Sequence, residues 1–365
     1  MKILIAGGGT GGHIYPAIAI ANKIKEEWKD CEILFAGTKQ GLESKLIPEA
    51  GYRIQFIRVK GFRRRLGVDT LKSVKNLFSG LGDAHGIIKD YKPDIVIGTG
   101  GYVCGPILWV AAMLNIKTVI HEQNVIPGIT NKILGRFVDK ILLSFEESEK
   151  YFNGSKTVIT GNPIRKEFIN FDRYLCRKSL GAKDHELVVM SFGGSRGAEK
   201  INATIKEVAV HFSGRKEIQL IHITGNDHYA SFMKELEREN TIIGKNITIR
   251  PYTHNMAELM GACDLVICRA GAITLAELTA MGLPSILIPS PYVTNNHQEH
   301  NARVLEKNGA AVVLLEKELD DKNIVDLLNL FIRERERLKQ MGLRSKALSK
   351  IDATELIFSN ITKLF

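Results

Sequence analysis

A glycine-rich segment near the start of the chain, GGGTGGHIYP, begins at Gly7 and places five glycines and a histidine directly after an apolar run. Glycines at this density let the backbone turn tightly, and a helix that begins there adds unpaired N–H groups aimed at one point. The segment therefore predicts a site for a phosphate or another polar ligand. A tight strand-to-helix turn without a ligand would use the same residues, and that alternative stays open.

The spacing of Gly7, Gly9 and Gly12 also matches the dinucleotide-binding pattern GxGxxG. That reading needs an acidic residue at the end of the second strand, where it would bind the ribose. The second strand ends ILFAGTKQ, which has no acidic residue. The pattern thus favours a phosphate compound other than a dinucleotide.

An acid suited to ribose lies elsewhere, in CRAGAITLAEL, where Glu277 falls in the first turns of a helix that follows a strand. A carboxylate there can accept both hydrogen bonds of a ribose diol while the helix N-terminus faces the phosphates, although Glu277 could equally serve only the helix dipole. Ser195, in a second glycine loop GGSRG, and Arg165, in GNPIR, are further candidate ligands for a nucleotide diphosphate. The chain has no Asp-x-Asp pair to hold a cation, so we expect no metal, and helix N-termini, Ser195 and basic side chains must meet the ligand's charge.

Short β-branched runs alternate with helical patterns twice along the chain, which predicts a doubly wound parallel α/β fold. The predicted strands cover 3–6, 33–35, 54–59, 95–97, 118–120, 141–143 and 158–160, then 187–192, 219–224, 247–249, 265–268, 285–288 and 311–314. Pro16 suits the first turn of the first helix. We predict two Rossmann-like domains facing a cleft: residues 1–162 with a returning C-terminal helix at about 347–365, and residues 163–346.

Composition and charge exclude several classes of protein. The chain has 365 residues, 44% of them hydrophobic, and five cysteines without a CxxC pair, so neither a zinc site nor a disulfide framework is indicated. No apolar run is long enough to span a membrane and no signal peptide is evident, so we expect a soluble, cytoplasmic chain. The net charge of +10 is concentrated at 58–75, which carries seven basic side chains and one acidic one.

The basic stretch is followed by apolar residues at helical spacing, and together they predict that residues 61–82 lie on an anionic membrane. An ordinary helix packed on the sheet would show the same spacing. A nucleic-acid partner is not indicated, because the basic residues are not interleaved with aromatic ones and no nucleic-acid-binding module is present.

Seven motifs, in order, resemble those of the MurG family of peptidoglycan N-acetylglucosaminyltransferases: GGGTGGH, GTGGYVCGP, HEQNVIPGITNK, GNPIR, GGSRGA, CRAGAITLAE and NHQEHNA. Any one motif is weak, but seven in order between residue 7 and about 302 are highly specific. The resemblance implies a GT-B glycosyltransferase without metal or cofactor. It would move N-acetylglucosamine from UDP-N-acetylglucosamine to lipid I, with inversion, as a peripheral enzyme on the cytoplasmic face of the inner membrane. Partners among other cell-wall synthesis proteins stay open.

The resemblance also assigns roles to individual residues. It places the acceptor and the membrane contact in the first domain and the donor in the second. Contacts to the sugar or diphosphate would come from Thr10, Gly11, Gly12, Asn124 and Gln298; contacts to the nucleotide would come from Arg165, Ser195, the Thr253 backbone and the run Ala272, Ile273, Thr274, Leu275, Ala276 and Glu277. Two features depart from the family pattern: Thr253 is polar where an apolar residue is common, and His297 precedes Gln298.

An inverting transfer needs one base to deprotonate the acceptor hydroxyl. His13 is the first candidate, although it could instead only cap the helix or hydrogen-bond the loop. His121 and Glu122, at the end of a strand, are the others, and a histidine there is often structural. Two further functions stay open: a GT-B transferase with another lipid acceptor such as diacylglycerol, and a non-catalytic membrane adaptor that keeps a nucleotide site.

Overall fold

The computed structural model describes residues 1–59, 68–194 and 197–365, and for residues 68–77 it describes the backbone only. The chain divides into two compact units, Met1–Ile164 with Lys350–Phe365, and Arg165–Ser349. These boundaries lie two and three residues beyond those expected from the sequence. Each unit is built on a parallel sheet in the Rossmann-like manner, as the GT-B prediction requires.

The first unit has a seven-stranded parallel sheet. Its elements in chain order are β1 Lys2–Ala6, α1 Gly11–Glu27, β2 Glu32–Gly37, α2 Glu43–Glu49, β3 Arg53–Phe56, α3 Val68–Tyr91, β4 Ile95–Gly98, α4 Cys104–Met113, β5 Lys117–Glu122, α5 Ile129–Leu134, β6 Lys140–Leu143 and β7 Thr157–Ile159. The strand order is β3-β2-β1-β4-β5-β6-β7. Alternate residues of β1 pack on opposite sides of the sheet, Ile3 and Ile5 in one buried cluster and Leu4 and Ala6 in the other, as the two-residue period of a strand requires.

The second unit repeats this plan with a six-stranded parallel sheet. Its elements are α6 Arg173–Leu180, β8 Leu187–Phe192, α7 Glu199–Phe212, β9 Ile218–Ile223, α8 Asn226–Arg238, β10 Ile247–Arg250, α9 Met256–Ala262, β11 Leu265–Cys268, α10 Ala272–Met281, β12 Ser285–Leu287, α11 His297–Lys307, β13 Ala311–Val313, α12 Asp321–Arg333 and α13 Arg335–Ala347. The strand order is β10-β9-β8-β11-β12-β13. The order reverses beside β8 and β11, which is where such sheets bind ligands.

The last helix, α14 Ala353–Thr362, belongs to the first unit. It packs against α1, where Ile357 and Ile361 are buried and the Phe358 ring lies 5.0 Å from that of Trp28. Burial of this apolar stripe stabilises the helix, because a ten-residue helix alone is marginal in water.

All thirteen predicted strands are present, with ends within three residues of the prediction. Two details differ. The first seven β-branched runs are typical of buried strands, and this expectation is wrong for β3 and β7, because strands at the edge of a sheet have one unpaired side. Pro16 is not in the first turn of α1, because the helix already begins at Gly11; the carbonyl that loses its partner belongs to exposed Gly12, where water can replace it.

Candidate active site

The glycine loop of the first unit, Gly7–Thr10, joins β1 to α1 at the carboxyl edge of the sheet. Two of its N–H groups, which we expected to face a ligand, are used inside the protein. Gly8 N donates to Gly100 O at 3.4 Å, and Gly9 N donates to Glu43 Oε2 at 3.0 Å. The loop offers a ligand the start of α1 at Gly11, beside exposed Thr10 and Gly12, where helix N–H groups have no partners within the helix.

His13 is half-buried in the first turn of α1, and its ring is held in one orientation. Nδ1 lies 3.0 Å from Gly8 O and 3.4 Å from Thr10 Oγ1. A carbonyl oxygen only accepts, so in the neutral ring Nδ1 carries the proton and Nε2 keeps its lone pair. Gly100 makes room for the ring: its φ is +111°, and a Cβ there would come within 2.7 Å of His13 Cδ2.

His121, by contrast, is fully buried at the end of β5, and both of its ring nitrogens have partners. Nε2 donates to Gly161 O at 3.0 Å, and Nδ1 accepts from Gln123 Nε2 at 3.0 Å. Burial lowers the pKa of His121 to about 4, against a smaller opposing effect of the Gly161 carbonyl. The environment therefore favours the structural alternative for His121.

Glu122 is also buried, and both carboxylate oxygens accept hydrogen bonds from the loop that follows β5. Oε1 accepts from Asn124 N at 3.0 Å and from Asn124 Nδ2 at 3.3 Å. Oε2 accepts from Gly128 N at 3.2 Å and from Asn131 Nδ2 at 2.8 Å. Four donors on one carboxylate favour a role in shaping this loop and orienting Asn124.

The second unit contains a cavity of about 1320 Å³ at the carboxyl edge of its sheet. Glycines after β8, the N-terminus of α10 and the first turn of α11 line it, and two predicted residues, Thr274 and Gln298, are among the lining residues. Gln298 is oriented by its Oε1, which accepts from Ser290 N at 2.9 Å. Gly197 (φ +79°) lets the loop close on the next strand, since a Cβ there would lie 2.0 Å from Thr224 O. The cavity is large enough for a nucleotide sugar.

An ion pair between Arg269 and Glu316 also lines this cavity, and sequence reasoning missed it. Both side chains are only 12% exposed, and Arg269 Nη1 donates to the carbonyls of Ile288 and Pro289 at 3.2 Å. Arg269 is the second residue of the motif CRAGAITLAEL that contains Glu277, so its position in the motif was an available signal. Glu316 comes from a segment after β13 that carries no motif.

Glu277 lies three residues beyond Thr274, on the same face of α10. Its side chain is 13% exposed, and its Oε1 is 3.6 Å from Arg165 Nη2. Burial raises the pKa of Glu277 to about 7, with nearby Glu167 adding to the effect and Arg165 opposing it. Arg165 also pairs with Glu167 at 2.8 Å and lies 4.7 Å from the Phe168 ring. The structure thus brings Arg165 and Glu277 together.

The remaining residues that were predicted to bind the ligand differ in how far they are buried. The Leu275 side chain is packed in the core, and its N–H donates to Gly271 O at 3.0 Å, so this residue offers a ligand neither its side chain nor its N–H. Ala272 is 7% exposed, whereas Ile273 and Ala276 are half-buried. Thr253 is half-buried, and its Oγ1 accepts from Asn255 N at 3.2 Å. Ser195 lies outside the described residues.

No helix in the described part of the chain is long and apolar enough to cross a bilayer. No cluster of three or more histidine, cysteine or acidic side chains with metal-binding geometry occurs in that part either.

Known proteins match the chain along its length. Residues 3–143 match the glycosyltransferase family 28 N-terminal domain and residues 188–357 its C-terminal domain. A relative from Acetivibrio thermocellus, named UDP-N-acetylglucosamine--N-acetylmuramyl-(pentapeptide) pyrophosphoryl-undecaprenol N-acetylglucosamine transferase, is 53% identical over 99% of this chain and 97% of its own. One of the same name from Clostridioides difficile is 45% identical over 100% and 89%.

Solved structures agree with this assignment. The crystal structure of Acinetobacter baumannii MurG superimposes with a TM-score of 0.80 and 26% identity over 99% of each chain. A UDP-GlcNAc 2-epimerase from Neisseria meningitidis, at 13% identity and a TM-score of 0.68 over 100% of each chain, shares the fold alone. On its sequence, its two parallel-sheet domains and these matches, the chain belongs to glycosyltransferase family 28.

Proposed function

We propose that this protein transfers N-acetylglucosamine from UDP-N-acetylglucosamine to lipid I, the undecaprenyl-diphosphate-linked N-acetylmuramoyl-pentapeptide, and so forms lipid II. The observation that carries the proposal is the cavity in Arg165–Ser349, with Glu277 on helix α10, which begins at the cavity wall, and Arg165 paired with it. The printed name of the relatives at 44–53% identity supports the choice of donor and acceptor.

The second unit is the donor-binding domain in this proposal. Glu277 accepts hydrogen bonds from both O–H groups of the ribose, and Arg165 lies beside it to hold the nucleotide. The N-terminus of α10 at Gly271 and the glycine loop after β8 meet the diphosphate with N–H groups. Gln298, fixed by Ser290, contacts the sugar. Charge on the departing diphosphate is thus met by oriented backbone donors and basic side chains.

The first unit supplies the base, and we assign that role to His13. Its Nδ1–H is held by Gly8 O, so Nε2 is the lone pair that can take a proton. In the transfer, the acceptor hydroxyl oxygen bonds to the anomeric carbon from the face opposite the leaving group, its proton moves to His13 Nε2, and the bond electrons leave with UDP. In this proposal His121 and Glu122 have a structural role, in which their hydrogen bonds hold the loop that carries Asn124.

Peripheral membrane association on the cytoplasmic face is part of the proposal. Of the predicted segment 61–82, residues 61–67 lie outside the described residues, and α3 covers the rest. Phe78 on α3 is 69% exposed, whereas Leu81 packs against the core. Exposed apolar side chains also occur at Trp109 on α4 and Ile133 on α5, and the Phe137 ring after α5 lies 4.5 Å from that of Trp109. Apolar side chains beside a basic segment suit an anionic bilayer.

The experiment that tests the function is a UDP-release assay with lipid I and diacylglycerol offered separately. We expect UDP release and a disaccharide product with lipid I alone. Release with diacylglycerol and not with lipid I would replace the proposed acceptor. Tight UDP-N-acetylglucosamine binding without release from either lipid would favour the non-catalytic adaptor.

A further inference from the structure

A buried acid that the proposed mechanism has not used lies directly beneath the glycine loop of the first unit. Glu43, the first residue of α2, is fully buried. Its Oε1 accepts from Thr38 N at 3.0 Å and from Thr38 Oγ1 at 2.7 Å, and its Oε2 accepts from Gly9 N at 3.0 Å. A buried carboxylate whose two oxygens both accept hydrogen bonds is held in one position.

Three glycines from different parts of the chain make room for this carboxylate. A Cβ on Gly8 would lie 2.7 Å from Glu43 Oε1, and one on Gly41 would lie 2.2 Å from the same atom. A Cβ on Gly37 would come within 2.7 Å of Glu43 Cγ. Ordinary contacts begin near 3.4 Å, so the loop can lie this close to Glu43 only because these positions lack side chains.

One peptide unit connects Glu43 to His13. The N–H of the Gly8–Gly9 peptide is the group that Glu43 binds, and the C=O of the same peptide is the group that accepts from His13 Nδ1 at 3.0 Å. A peptide is planar and rigid, so fixing its N–H also fixes its carbonyl. Hydrogen bonds in such a chain also polarise one another, which strengthens the bond to the imidazole.

We propose that Glu43 is a positioning residue for the transfer reaction, acting through the Gly8–Gly9 peptide to hold His13 in its reactive orientation. This inference rests on the proposed function, in which His13 Nε2 takes the acceptor proton. Glu43 itself touches no substrate in this scheme. Its effect must therefore appear in the catalytic rate and vanish when His13 is absent.

The test is a double-mutant cycle of Glu43→Gln and His13→Ala, with kcat measured on lipid I and donor affinity measured without acceptor. Glutamine keeps an oxygen for Thr38 but turns an NH2 group toward Gly9 N–H, which breaks the link to the loop. We expect Glu43→Gln to lower kcat about 10- to 100-fold, as a small misplacement of a catalytic group does, with unchanged affinity for UDP-N-acetylglucosamine. The double variant should be no slower than His13→Ala alone.

Two further variants keep the result interpretable. Gly41→Ala would place a Cβ 2.2 Å from both carboxylate oxygens of Glu43, and it should reproduce the loss of kcat if Glu43→Gln folds poorly. Asp139→Asn is the matched control, because Asp139 binds the N–H and hydroxyl of Thr118 in the same way but before β6, at the amino end of the sheet. Its kcat should stay within about twofold of wild type.

Each outcome decides one question. The positioning role is overturned if kcat of Glu43→Gln equals that of Asp139→Asn. It is also overturned if Glu43→Gln lowers kcat by the same factor in the His13→Ala background as in wild type. If His13→Ala itself is as fast as wild type, the base assignment fails and the role of Glu43 fails with it. If wild type does not act on lipid I at all, the proposed function fails. Correct folding and donor binding of the wild-type protein and the variants would then show that the missing activity is not caused by misfolding.

Discussion

Binding of the donor should be coupled to ionisation of Glu277. Burial raises the pKa of this carboxyl to about 7 in the unliganded protein, although Arg165 opposes the shift. The ribose hydroxyls donate hydrogen bonds, so the ionised form is the one that binds both of them. When only a fraction of the protein is competent, the observed Kd rises in proportion. About a tenth is ionised at pH 6 and about nine-tenths at pH 8, so Kd should fall about tenfold across this range.

Calorimetry with UDP-N-acetylglucosamine, without acceptor, measures this at pH 6, 7 and 8. The sugar nucleotide is preferable to UDP because a terminal phosphate titrates near pH 6. His228 also lines the cavity. The comparison with Glu277→Gln isolates the contribution of Glu277, because only this carboxyl differs between the two proteins.

The expected result is a difference in slope: the affinity of wild type rises with pH relative to that of Glu277→Gln. Glu237→Gln, an exposed acid on α8, is the control and should follow wild type. Wild type and Glu277→Gln with parallel pH dependence would refute the reasoning and remove Glu277 from ribose recognition. Weaker binding of Glu277→Gln at pH 8, by about 2 kcal/mol, is expected as well, since a paired charged hydrogen bond is lost.

Four other outcomes are expected. Without ligand, the raised pKa of Glu277 contributes stability that is fully present below pH 4.5 and is lost as the pH rises through 7. Denaturation should therefore show that Glu277→Gln has a free energy of unfolding on the order of 3 kcal/mol above that of wild type at pH 8, and an equal one at pH 4. His13→Ala should lower kcat on lipid I about 10²- to 10⁴-fold with a smaller change in donor Kd, and an equal loss in both would indicate a structural loop residue. Activity should persist in EDTA, and complete loss restored by magnesium would contradict a metal-independent transfer. Changing the three arginines at 63–65 to serine should weaken flotation with phosphatidylglycerol vesicles at low salt, as high salt does for wild type, and equal flotation of both proteins would place the docking surface elsewhere.

The order of elements could be predicted from the sequence because it depends on local patterns. Buried strands of a parallel sheet are short β-branched runs, and each was visible, as was the restart of the series after GNPIR. The glycine loops and Glu277 were also visible, since a turn into a helix and an acid on its first turns have fixed spacings. Helix α6 was not predicted: it is short, and its stability comes from packing on neighbours.

The tertiary structure alone decided what each polar group does. The sequence offered His13, His121 and Glu122 as candidate bases, with His13 first. In the structure, burial lowers the pKa of His121 to about 4 and four donors hold Glu122, whereas His13 keeps Nε2 available. Glu43 carried no motif, because its partners, Gly9 and Thr38, come from separate strand ends that only the parallel sheet brings to one edge. Burial and hydrogen-bond partners are set by residues distant in sequence, so spacing fixes which side chains are available and the folded sheet fixes which of them can react.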